Sequence, residues 1–246
     1  MAADLTLQIE ENYSALSRAA ARLVIRQLEE KPDSSLVFAT GNTPLGMFDE
    51  LAGAYQQGRI RFENASLVEL DDYYGIPLED PRNLFNWLRR AFVDRVEFPL
   101  RHTARFLTDT SAPAEECARI EQFISASGGI DLQVLGLGPN GHLGFNEPGS
   151  ALDSRTRVVR LAAASLESSQ RYWGDQPVPE YGLTLGLGTL AAARKTLLLV
   201  SGGAKAGILH KVLSSPLDPC LPATALQTYP DVLVLADREA AGAPQD

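Results

Sequence analysis

The chain has 246 residues, 45% of them hydrophobic, enough to bury the core of one large α/β domain. Its 22 Lys and Arg against 31 Asp and Glu give a formal charge of −9, which opposes contact with nucleic acid or an anionic membrane and leaves any anionic ligand to a local site. Cys117 and Cys220 lie far apart without metal-ligand spacing, no run reaches about 18 uninterrupted apolar residues, and the N-terminus has no leader pattern; a cytoplasmic protein with no bound metal is expected.

Apolar residues recur at helical spacing from residue 11 to 30 and stop at Lys31-Pro32, which predicts that the chain opens on an amphipathic helix. SSLVFAT (34–40) then reads as a strand, GNTP (41–44) as a tight loop and LGMFDELAGAYQQG as a second helix. The pattern repeats with the strand ASLVEL (65–70), the acidic DDYYGIP, the helical NLFNWLRRAFVDRV (83–96) and AEECARIEQFISA (114–126) running into GGIDLQVLGLG. Later strands are TRVVRL (156–161), TLLLVSGG (196–203) and DVLVLAD (231–237). Apolar strands alternating with amphipathic helices predict an α/β fold of three αβα layers, a Rossmann-like, doubly wound and mostly parallel sheet. One domain over 1–246 is expected, with a frayed tail at 238–246.

Ligands of such sheets bind beyond the carboxyl ends of the strands. Four loops after predicted strands then share one rim: residues 41–43, 71–77, 136–148 and 202–205. In the first, Thr43 reads as a helix cap and Pro44 as the first helical position, leaving the N–H groups of Gly41 and Asn42 as either an ordinary turn or an anion site. In the fourth, Lys205 starts a helix against its dipole, the mark of a bound anion or of a solvated lysine. In the second, Asp71 and Asp72 leave an extended chain on opposite faces, so one at most points into a cleft.

The third loop carries the densest signal, LGLGPNGHLGFNEPGS (135–150). His142 sits among glycines, which supply backbone freedom rather than packing, and Glu147, pinned by Pro148, is five residues on and able to curl back to the ring. No second His or Cys stands nearby at ligand spacing, which argues against a metal. His102 and His210 read as surface or packing residues.

Together TGNTP, LDDYYGIP, GPNGHLGFNEP, VPEYGLTLGLGTL and GGAKA resemble, over nearly the whole chain, the glucosamine-6-phosphate deaminase (isomerase) family, which shares its fold with 6-phosphogluconolactonases. FNEP (145–148) favours the deaminase side. The resemblance implies conversion of glucosamine 6-phosphate to fructose 6-phosphate and ammonia without a cofactor, with Asp71 moving a proton from C2 to C1. It implies that His142 opens the pyranose ring, that Glu147 and Asn140 hold it, and that Gly41, Asn42, Thr43, Lys205 and Arg171 bind phosphate. Asn140 is Asp in many members, so this loop is one charge poorer. Arg171 matches the arginine of the family's mobile lid, here residues 161–175.

Ser150 and Arg157 match part of an allosteric pattern of hexameric members, but Val159 stands at its lysine, so no such site is expected, and a monomer or small homo-oligomer is. The alternatives are a galactosamine-6-phosphate deaminase, a 6-phosphogluconolactonase and a non-catalytic sugar-phosphate sensor.

Overall fold

In the computed structural model, which describes residues 4–242, the chain runs β1 (Asp4–Glu10), α1 (Tyr13–Glu30), β2 (Ser35–Phe38), α2 (Leu45–Gln56), β3 (Ser66–Glu69), β4 (Asp71–Tyr73) and α3 (Leu84–Ala91). It continues β5 (Thr103–Ala104), α4 (Pro113–Ala126), β6 (Leu132–Gly136), β7 (Arg157–Arg160), α5 (Ala163–Trp173) and β8 (Tyr181–Thr184). It closes with α6 (Leu187–Ala191), β9 (Lys195–Val200), α7 (Ala206–Ser214) and β10 (Asp231–Asp237). Seven strands form one sheet in the order β1-β10-β9-β6-β2-β3-β5, every pair parallel.

Alternation along each strand builds the two interiors. Leu36 and Phe38 of β2 face one side with Leu67, Val134 and Leu199, under α1, α2 and α3. Val37 faces the other with Val68, Leu135, Leu198 and Val234, under α4, α6 and α7. Both faces are thus covered, as the continuous apolar runs of parallel strands require. The caps are local: Asn12 Oδ1 accepts the Ala15 N–H at 3.0 Å to start α1, and Pro113 occupies the first turn of α4. Among the described residues no helix is long and apolar enough to cross a membrane.

A second, three-stranded antiparallel sheet, in the order β4-β8-β7, sits at the carboxyl edge of the first. Only Leu70 separates β3 from β4, so the chain passes straight from one sheet into the other. Helix α5 bridges β7 and β8, and a small core of Tyr73, Phe145, Leu161 and Trp173 fills the space beneath it.

Four expectations change. The chain opens on β1, an edge strand beside β10, and not on α1. The acidic segment 71–77 begins as a strand, because its backbone pairs with β8. TRVVRL is a strand of the small sheet, not of the large one. The segment 238–246 is docked at its start: the Arg238 N–H donates to the Glu10 carbonyl at 3.0 Å and Ala240 is buried, while residues 243–246 lie outside the described residues.

Candidate active site

The sheet order reverses between β2 and β6, since the chain leaves β2 towards β3 and leaves β6 towards β9. At the carboxyl ends of these strands the following loops splay apart and open a crevice. A cavity of about 260 Å³ lies there, and all four expected loops contribute to its wall. Gly41, Asn42 and Thr43 follow β2, Asp71 follows β3, His142 follows β6 and Lys205 follows β9. Arg171 of α5 reaches the same cavity from above.

His142 is seated by its own loop. The Gly138 N–H donates to the His142 carbonyl at 3.0 Å, and the His142 N–H donates to Asn140 Oδ1 at 3.2 Å. Glu147 does curl back: its Oε2 lies 3.4 Å from His142 Nδ1 and accepts from Asn140 Nδ2 at 2.9 Å. Asn140 and Glu147 thus stand behind the ring, outside the cavity wall, and only the ring faces the ligand space. Burial works against the Glu147 charge, but hydrogen bonds from His142 and Ser165, the His142 charge and Asn140 together bring its carboxyl down to about 2. The far end of the loop is locked by Asn146, which donates to the Leu143 and Leu185 carbonyls and accepts from Arg157, itself bound to Ser150.

Two glycines of this loop are there for close approach. A Cβ on Gly138 would lie 2.1 Å from His142 Nε2, and one on Gly144, whose φ is +57°, would lie 3.3 Å from Asp71 Oδ2. The backbone therefore runs against both candidate groups and leaves room for no other side chain.

Asp71 and Asp72 part as the strand geometry requires. Asp72 turns inward, where its carboxylate accepts the N–H groups of Tyr73, Leu84 and Phe85, the last two at the start of α3. Burial raises the Asp72 carboxyl, and the hydrogen bonds from Glu69 and from these backbone groups pull it back only in part, so it stays above its ordinary value. Asp71 turns to the cavity, and among the described residues its carboxylate has no hydrogen-bond or ion-pair partner. Burial first, and the neighbouring Asp72 second, push its carboxyl from an ordinary 3.8 up to about 8. Deeper still, burial and then Asp72 hold the Glu69 carboxyl well above its usual range.

The opposite end of the cavity is built for an anion. Gly41 has φ +90°, and among the described residues the N–H groups of Gly41, Asn42 and Thr43 donate to nothing. Tyr13 braces this loop, its hydroxyl donating to the Asn42 carbonyl and accepting from the Gly46 N–H at 2.8 Å. Helix α2 starts one residue later than expected, with Pro44 and not Thr43 at the cap, which leaves the Thr43 hydroxyl uncommitted to a helix end. Lys205 Nζ donates to the Leu137 carbonyl at 2.7 Å, and burial, then Arg171, lower its affinity for its proton. A bound anion would relieve both. Gly202 does not share in this, because Asp237 takes its N–H.

Sequence reasoning missed several wall residues. Trp87 of α3 stands outside every quoted motif, and Tyr73, Phe145, Ser169 and Tyr172 lie within the quoted stretches or the expected lid without having been singled out; only the folded chain gathers them. The expected lid segment is a helix, α5, whose Trp173 packs edge-on to Tyr73 at 5.1 Å with the Arg82 guanidinium 4.3 Å above its ring. Ser165, on the same helix, lies 3.1 Å from His142 Nδ1. Among the described residues no three His, Cys, Asp or Glu side chains are gathered to hold a metal ion.

Residues 9–234 match the family model described as glucosamine-6-phosphate isomerases/6-phosphogluconolactonase. A glucosamine-6-phosphate deaminase of Halothermothrix orenii is 40% identical over 238 residues, 95% of this chain and 97% of that protein. Among solved structures, a monomeric glucosamine-6-phosphate deaminase superposes with a TM-score of 0.93 at 35% identity, covering 96% of this chain and 99% of the other. A 6-phosphogluconolactonase of Trypanosoma brucei, TM-score 0.76 at 18% identity over 97% and 98% of the two chains, shares the fold alone. With the match spanning residues 9–234 and with them Asp71, Glu147 and the histidine loop, the chain belongs to the glucosamine-6-phosphate isomerase/6-phosphogluconolactonase family.

Proposed function

We propose that this chain is a glucosamine-6-phosphate deaminase, and that Asp71 and His142 divide its chemistry. The observation that carries the reading is their placement: an unpartnered, buried carboxylate and a braced imidazole face one cavity whose other end offers free amides and two cations. Phosphate fits the N–H groups of Gly41, Asn42 and Thr43 with Lys205 and Arg171. His142, held from behind by Glu147 and Asn140, then relays the proton as the ring opens to the C1 aldehyde. Asp71 takes the C2 proton, giving an enolamine, and returns it to C1. Water adds at the resulting C2 imine, and the carbinolamine collapses to fructose 6-phosphate and ammonia. Each step moves only protons and water, so no cofactor enters the reading.

The chain would act as one domain and as a monomer, a reading supported by the likeness to a monomeric deaminase. Residues 161–175 would move as a lid, with Arg171 closing over the phosphate. A reducing cytoplasm suits the free thiols of Cys117 and Cys220.

The test is ammonia release from glucosamine 6-phosphate and, separately, galactosamine 6-phosphate, beside hydrolysis of 6-phosphogluconolactone. Ammonia with fructose 6-phosphate is expected from the gluco sugar. If neither sugar yields ammonia while the lactone is hydrolysed, the deaminase reading is wrong. Gly138→Ala provides a geometric check in the same assay. Its Cβ would meet His142 Nε2, so the ring must shift by around an ångström, and a loss of about a hundredfold in turnover is expected, the usual scale for such a misplacement.

A further inference from the structure

Ser165 lies in the first turn of α5 with 2% of its surface exposed, and its Oγ is nearer to His142 Nδ1, at 3.1 Å, than Glu147 Oε2 is, at 3.4 Å. Glu147 also holds the start of the same helix: its Oε1 accepts the Ala162 N–H at 3.2 Å, and the Ser165 hydroxyl is one of the donors that keep it ionised. The lid helix is therefore fastened to the back of the histidine twice, through one backbone group and one hydroxyl.

A neutral imidazole keeps one proton, and the group facing each nitrogen decides which one keeps it. Glu147 is an acceptor only and its Oε2 also faces Nδ1, so Nδ1 keeps its proton and the nearer Ser165 oxygen, at 3.1 Å, turns a lone pair to it. Nδ1 is then the donor. Nε2, lying against Gly138 in the cavity wall, is left as a free acceptor. The other charged groups around the ring, Asp71 of β4, Lys205 before α7 and Arg171 of α5, stand on the cavity side and do not compete for Nδ1.

We propose that Ser165 is a positioning residue which, by accepting from His142 Nδ1 beside Glu147, fixes the tautomer that opens the sugar ring and makes it depend on the lid helix being docked. The inference rests on the deaminase reading of the cavity. Arg171 occupies the last turn of the same helix, so the phosphate clamp and the histidine brace ride on one rigid element.

The ring nitrogens of His142 can be read by ¹⁵N NMR, since the chain has 3 histidines and His142→Gln identifies the signal. In the wild type, neutral His142 is expected to show a protonated Nδ1 and a bare Nε2. In Ser165→Ala the two forms should mix, and kcat on the cyclic substrate should fall about tenfold with KM nearly unchanged, the scale of one lost hydrogen bond to a charged network. Ser165→Thr, which keeps the hydroxyl, should recover most of the loss. Identical nitrogen signals in wild type and Ser165→Ala, an unchanged kcat, or a loss that Ser165→Thr shares in full would each overturn the proposal. If the wild type releases no ammonia, the functional reading fails instead, and the nitrogen signals still decide whether Ser165 sets the tautomer.

Discussion

Asp71→Asn should release ammonia from glucosamine 6-phosphate about a thousandfold more slowly than the wild type, within the range ordinarily supplied by a positioned general base. Asparagine keeps the shape and cannot take the C2 proton, so the loss should fall on kcat and leave KM nearly unchanged. The wild type should show why the carboxylate matters. With the Asp71 carboxyl pushed up to about 8 by burial and by Asp72, the unliganded enzyme holds it mostly protonated at neutral pH. kcat/KM should then decline with unit slope as pH falls below about 8, and rise towards a plateau above it. A wild-type profile flat from pH 6 to 9 would remove Asp71 from the role.

The same shift has a stability sign. A carboxyl whose folded value lies above its unfolded 3.8 costs nothing below 3.8 and destabilises increasingly as pH rises to about 8, above which the buried charge forms and the penalty levels off. Asp71→Asn should therefore melt higher than the wild type, by a margin that widens from pH 5 to pH 9. Loss of activity with gain of stability is the signature of a group kept for chemistry.

His142→Gln should separate the two halves of the reaction. Turnover of the cyclic sugar is expected to drop about a hundredfold, while proton exchange at C2 of an open-chain analogue changes only several-fold. The prediction follows from the wall of the cavity, where the ring of His142 and the carboxylate of Asp71 are offered by different loops and Asp71 has no bond to the histidine network. Equal losses in both assays would sink the ring-opening role. Glu147 adds an acid limit to that network. Its carboxyl, brought down to about 2 despite burial, contributes stability that is fully present above its ordinary 4.5 and is lost as pH falls towards 2.

Much of the large sheet was legible because parallel strands buried on both faces read as unbroken apolar runs; SLVF and LQVLG are buried along nearly their whole length. The histidine loop was legible for a different reason, since glycine density and Glu147 are local. β1 was overlooked although Leu5, Leu7 and Ile9 alternate, and the structure shows Leu7 and Ile9 substantially exposed on an edge strand with one partner. β4 and β8 are three and four residues long, too short for a period, and are strands only because distant backbone meets them. Ser165 had no signal at all: a serine in a run of small residues becomes a neighbour of His142 only after α5 folds across the loop.

The pairing of Asp71 with Thr184 joins segments separated by nearly half of the chain. Loop closure of that span is entropically late, so in a refolding chain the parallel sheet can consolidate from its nearer contacts before the proton-transferring carboxylate is seated. Secondary structure would then recover ahead of turnover, and a partly folded chain would bring its sugar-phosphate cleft together before it could catalyse anything in it.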